Sequence, residues 1–261
     1  MIDLCLRYGA NGVPILSNNG IDSQAEALIT DYDPSLLKTP RPLDIDDFTE
    51  NYVGLRLHYT YLSHKGFIWG RMVFHNTKIL VYDPVRNCAD EEPIDGNTIV
   101  IDNRLLDEKK EHALRSTVMH ECCHGIYHYS FYCLGKQCGS RRQPYTSCEA
   151  KNIIGPDNVP GRLQADIDWI EHQAKYFSAA ILMPRTPMSK ICKSPYIRFG
   201  IFENNPGSEN DALAAYIAKL FNVSCESAKI RIKQLGLGYK AKPRNTRKIF
   251  NVGNLHVETK I

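Results

Sequence analysis

The chain opens without a sustained apolar run, since Met1 to Ala10 already carries Asp3 and Arg7. Neither a secretory signal nor a membrane span is expected there. Net charge is also scarce: 32 Lys and Arg against 29 Asp and Glu leave +3, too mild to announce a nucleic-acid binder. No internal repeat is visible, which removes solenoids and propellers. Cysteine, by contrast, is plentiful, and its count of nine is odd. Without a secretory signal, that number argues for reduced thiols in a cytoplasmic protein and against a disulfide framework. At 261 residues the chain can bury a real core, as one large domain or as one with a small appendage.

The most informative stretch is His120-Glu121-Cys122-Cys123-His124. It reads H-E-x-x-H inside a helical pattern. One turn separates the two histidines, so both imidazoles leave the same face, and two neutral nitrogens there can bind one Zn²⁺ at about 2.0–2.1 Å. Glu121 sits about 100° around the helix from His120, within reach of a water but outside the ligand pair. Leu114, Val118, Cys122, Ile126 and Tyr129 recur every three or four residues and predict a buried stripe. Acidic residues between Asp107 and Glu111 suit the positive end of the helix dipole.

Two histidines do not make a catalytic zinc site, which uses three protein ligands and leaves one position open. His128 cannot be the third, because eight residues of helix put it about 12 Å from His120 along the axis. It reads instead as a packing residue or a partner behind a ligand. The segment from Asp166 to Pro184, DIDWIEHQAKYFSAAILMP, can supply the missing group. Asp166 or Asp168 can cap it and Pro184 ends it. Glu171 has Ala174 one turn below, where a neighbouring helix can come close. His172 is the competitor but points to a different side. Tyr127, His128, His172 and Tyr176 are further candidates for a side-chain donor to the transition state or for a place behind the ligands.

HECCH followed by E171-x-x-A174-x-x-F177-x-A179-A180-x-L182-M183-P184 resembles the ImmA/IrrE metallo-endopeptidases, a gluzincin-like group. Thr117 stands three residues before the first His, as in that family, and Val100-Ile101-Asp102 fits its upstream strand. Residues 220–237 resemble its helical C-terminal part, so the likeness covers about 45–238. It implies that His120, His124 and Glu171 bind one zinc ion and that Glu121 is the catalytic base. It further implies a protein substrate, often a helix-turn-helix repressor of a mobile element or stress regulon. The chain departs from the pattern at Cys123, where members often carry Gly, and in the Cys-containing insertion at 131–161.

The order of patterns predicts an α+β, zincin-like architecture. Residues 1–44 form an N-terminal helical segment, within a helical stretch that spans 20–53 and breaks at Pro40-Arg41-Pro42, with Asp44 capping its second helix. Residues 45–200 form the peptidase domain, 201–240 a helix-turn-helix-like part and 241–261 a basic tail. Candidate strands are 55–59, 71–74, 79–82 and 98–101, in a small, mostly antiparallel sheet, with His75-Asn76-Thr77-Lys78 as a hairpin loop. An edge of that sheet could add a substrate peptide. Cys133, Cys138 and Cys148, with His128 or Cys123, could assemble a second zinc site, though their spacing matches no common ribbon or finger. Lys229, Arg231 and Lys233 are expected to face outward, yet they are few for phosphate-driven binding. Direct nucleic-acid or membrane contact is therefore not expected. The alternative class is a DNA- or repressor-binding regulator whose zinc site is structural or vestigial.

Overall fold

A computed structural model of the chain describes residues 1–137, 144–149, 165–197, 200 and 209–239. Cys138, the basic tail and much of the 131–161 insertion lie outside the described residues.

Helix α1 (Asn18–Tyr32) starts where the Ser17 hydroxyl accepts from Gly20 N at 3.1 Å. It buries Ile21, Ala25, Leu28 and Ile29, a three-and-four spacing that makes one apolar face. Asp44 caps the short α2 (Ile45–Asp47) by accepting from Asp47 N at 3.1 Å. The chain then continues as a π-helical stretch, Phe48–Val53, which Gly54 ends at φ 83.

The central sheet joins β1 (Arg56–Thr60), β2 (Ile68–Val73), β5 (Thr98–Asp102) and β6 (Cys148–Glu149) in the order β1-β5-β2-β6. β1 runs parallel to β5, while β2 is antiparallel to both β5 and β6, so the sheet is mixed. β3 (Thr77–Asp83) and β4 (Cys88–Ile94) form a separate two-stranded ribbon. The expected hairpin loop at 75–78 is therefore corrected. β2 and β3 do not pair, and Thr77 and Lys78 already lie in β3, opposite Ile94 and Pro93. The reason is that both edges of β2 are taken, by β5 and by β6, so β3 finds its partner further along the chain. β4 escaped the sequence reading because CADEEPI is almost wholly exposed and shows no apolar alternation.

Helix α3 (Glu111–Tyr127) packs on β2 and β5, and α5 (Asp166–Leu182) lies against α3, so that α3 is covered from two sides. This corrects the single buried stripe. Val118 and Cys122 are buried, but Leu114 and Ile126 are only half-buried. Tyr129 is 46% exposed and opens α4 (Tyr129–Gln137) beyond the end of α3. Thr117, Met119, His120, Glu121, Cys123 and His124 are buried instead. Asp168 Oδ2 accepts from Ala165 N at 3.2 Å to steady the start of α5. Pro184 separates α5 from α6 (Arg185–Lys193).

Helices α7 (Glu209–Phe221) and α8 (Cys225–Gln234) pack together, with Ser224 capping α8. Arg231 does not face outward as expected. It is fully buried, paired with Asp22 of α1, and its Nε donates to the Met183 carbonyl at 3.1 Å. Tyr176 of α5 donates to the other Asp22 oxygen at 2.9 Å and lies under the guanidinium, so three helices meet at one charge pair. Arg231→Met leaves Asp22 buried without its cation and should lower unfolding stability by about 3–5 kcal/mol. Adding Asp22→Leu should recover part of that loss. Urea unfolding of the single and double variants checks both expectations. Among the described residues no helix is long and apolar enough to cross a membrane.

Candidate metal centre

His120 and His124 leave α3 one turn apart, and Glu171 reaches toward them from α5. Their donor atoms lie close to one another: His120 Nε2 is 3.1 Å from His124 Nε2 and 3.4 Å from Glu171 Oε2, and His124 Nε2 is 3.6 Å from Glu171 Oε1. Four ligands placed tetrahedrally at 2.0–2.1 Å from zinc stand about 3.3–3.4 Å apart. The three separations, two of them to different Glu171 oxygens, straddle that edge length, so the residues can hold one metal ion. Both histidines are fully buried, and the Glu171 side chain is 18% exposed. Glu171 Oε2 makes no hydrogen bond although buried. Beside two imidazole nitrogens such an acceptor is matched by a cation, a proton on His120 or a metal ion in its place, so the donor set fits such an ion.

A chain of hydrogen bonds sets the tautomer of His124. The Pro14 carbonyl only accepts, so the Gln173 atom facing it at 2.8 Å is the amide nitrogen. Gln173 Oε1 then accepts from His128 Nε2 at 3.0 Å. That leaves His128 Nδ1 bare, to accept from His124 Nδ1 at 3.0 Å. His124 Nε2 consequently presents a lone pair to the metal corner, the form a ligand needs. Burial holds His128 down to about 4, and it also holds His124 well below the usual imidazole range, assisted by His120 and His128. For His120, burial works against the charged form, but Cys148 and Glu171 outweigh it and keep the ring well above that range. A metal ion must displace that proton to bind. His128→Phe keeps a ring of similar bulk and removes the relay. It should weaken zinc affinity by about 10–100-fold, measurable by competition with a chromophoric chelator.

Glu121 stands beside the corner without being one of the three donors. Its Oε2 accepts from Thr146 Oγ1 at 2.6 Å, while Oε1 is buried and unpartnered. Burial pushes its carboxyl up to about 7, with His120 and Thr146 pulling downward and Glu171 adding to the rise. β2 passes very close above it. A Cβ at Gly70 would lie 2.7 Å from Thr117 Cγ2 and 3.0 Å from Glu121 Cγ, so no larger residue fits without a shift.

The other candidates are placed differently. His128 stands behind His124. Tyr127 packs edge-on against Phe177, with ring centroids 5.2 Å apart, and its buried hydroxyl makes no hydrogen bond. His172 Nε2 meets Asn18 Oδ1 at 2.9 Å, and Tyr176 is held by Asp22, so both turn toward α1. Cys133 Sγ lies 3.3 Å from His75 Nε2, Cys138 is outside the described residues, and Cys148 sits at the main site. Among the described residues two groups can hold a metal, His120-His124-Glu171 and His120-Glu121-Cys148, and they share His120. Burial pushes the Cys148 thiol up to about 11, with His120 opposing. Gln173, Thr146 and Gly70 had no signal in the sequence that tied them to HECCH, because no periodicity links those segments, and Cys148 entered only as a candidate for a second zinc site.

Comparison of the chain with protein-family models and with curated proteins finds no match in either. The site is an HExxH-like arrangement with a glutamate from a second helix.

Proposed function

We propose that this protein is a zinc-dependent endopeptidase. The observation that carries the reading is the convergence of His120, His124 and Glu171 at tetrahedral spacing, with a buried carboxylate, Glu121, alongside and outside the set. Held by these three residues, a zinc ion supplies Lewis acidity, polarising a carbonyl oxygen and making a nearby water acidic. Glu121 accepts the proton of that water as it attacks the peptide carbonyl, then hands the proton to the leaving amine. The His124-His128-Gln173 chain keeps the ligand ring in register, and the packing of α5 on α3 brings Glu171 into range.

The likeness of HECCH and the E171-x-x-A174 segment to the ImmA/IrrE peptidases supports a protein substrate, and within that class a helix-turn-helix repressor. Direct nucleic-acid contact is not part of this reading: Arg231 is buried, and Lys229 pairs with Asp211 at 2.8 Å. A second reading is a repressor- or DNA-binding regulator with a structural zinc site. One observation favours it, the Cys148 thiol near His120, since four protein ligands close a zinc site. Incubating the zinc-loaded protein and its Cys148→Ser variant with purified helix-turn-helix repressors and mapping fragments by mass separates the two. New termini that vanish with chelator are expected. A stable complex with both chains intact would support the regulator.

A further inference from the structure

The edge of β2 that faces the metal corner is covered by the chain itself. Phe74 N donates to the Pro144 carbonyl at 2.9 Å, and Thr146 N donates to the Met72 carbonyl at 3.0 Å. Val73 bridges to Tyr145, and Gly70 pairs with Cys148, all antiparallel. Residues 144–149 thus lie as an added strand on the sheet, in the way a bound peptide would. Two of their side chains enter the site. Thr146 accepts from Met72 N at 2.7 Å and donates to Glu121 Oε2 at 2.6 Å, so it occupies the base. Cys148 stands opposite Gly70, whose missing Cβ lets β2 lie directly against Thr117 and Glu121 of α3. Its Sγ lies within 4.8 Å of a His120 ring nitrogen and of a Glu121 carboxylate oxygen but does not join the His124 and Glu171 donors within that distance, so sharing their ion draws Cys148 inward. Cys148 is 1% exposed, and Glu121 Oε1 and His120 Nδ1 are buried without hydrogen-bond partners beside it.

We infer that residues 144–149 are an internal occupant of the substrate cleft, and that Cys148 is the fourth ligand of the bound metal. The inference rests on the metallopeptidase reading and adds a resting state to it. A thiol that meets a divalent ion gives its proton to solvent and binds as thiolate. Sulfur then fills the position that water needs, on the side where Glu121 would act, and four protein ligands close the site. A substrate strand and this segment compete for the same β2 backbone groups, Met72 O and Phe74 N. Cleavage therefore requires the segment to leave, and the enzyme is latent until it does.

The full-length chain loaded with Co²⁺ tests this directly. The wild type should show a sulfur-to-cobalt charge-transfer absorption in the near ultraviolet together with visible ligand-field bands. C148S should lose the first and keep the second. In parallel, zinc-loaded C148S should cut an unstructured fluorogenic peptide about tenfold faster or more, as when a closed state that outnumbers the open one is removed. Cobalt bound by the wild type without the charge-transfer band would overturn the ligand assignment and leave the His120-His124-Glu171 reading standing. The same band persisting in C148S would overturn it too. No cobalt binding to the wild type would sink both readings. C148S folded, metal-loaded and no faster than the wild type would overturn latency. The wild-type spectrum decides the ligand question even if C148S fails to fold.

Discussion

Glu121→Gln is expected to bind one zinc per chain, as the parent does, and to lose peptide cleavage by about 10²–10⁴-fold. Gln keeps the size of the side chain, and its amide oxygen can still accept from Thr146 Oγ1, the 2.6 Å bond that orients the native carboxylate. What disappears is the capacity to hold a proton between water and leaving amine. Metal content and kcat should therefore separate cleanly: the first unchanged, the second collapsed. The comparison is best made with the Cys148→Ser background as well as the native one, so that a closed cleft is not mistaken for a missing base. Normal turnover by the Gln variant, at normal zinc content, would remove Glu121 from the mechanism.

His124→Ala and Glu171→Gln are expected to fail at the earlier step, losing zinc and activity together. His124→Ala removes a donor atom and leaves His128 Nδ1 without the proton it accepts. Glu171→Gln removes the negative charge that faces both imidazoles at 3.4 and 3.6 Å. Either loss should exceed the roughly 10–100-fold effect of removing a partner behind a ligand. Thermal unfolding gives a reading independent of activity. An ion present at about 100 times its dissociation constant stabilises the native parent by roughly 2.7 kcal/mol, so the parent's Tm should fall after chelation and recover with zinc. The two variants should show no recovery. Parent-like zinc affinity in both would mean that the ion, if bound, sits elsewhere, and the account of the corner would have to be abandoned.

How much of this was visible beforehand depended on sequence separation. The strands at 55–59, 71–74, 79–82 and 98–101 each correspond to an observed strand, because apolar, β-branched runs bounded by turn residues carry their own signal. β4 and β6 were missed for opposite reasons. β4 is polar and exposed, and β6 is two residues long inside an insertion with no pattern of its own. Arg231 was misplaced because an Arg at helical spacing reads as a solvent-facing charge, while the partner that buries it, Asp22, is 209 residues away.

The sequence alone determined the pairing of His120 with His124 and the offset of Glu121. Those follow from the pitch of one helix, a property of local backbone geometry that needs no distant contact. Only the tertiary structure decided which carboxylate stands opposite, which amide sets the His124 tautomer, and which strand lies on β2. Gln173, Thr146 and Cys148 come to the corner through packing of α5 on α3 and through strand pairing at β2. Such meetings are settled by which surfaces bury each other, and that depends on the whole core at once, not on any spacing along the chain.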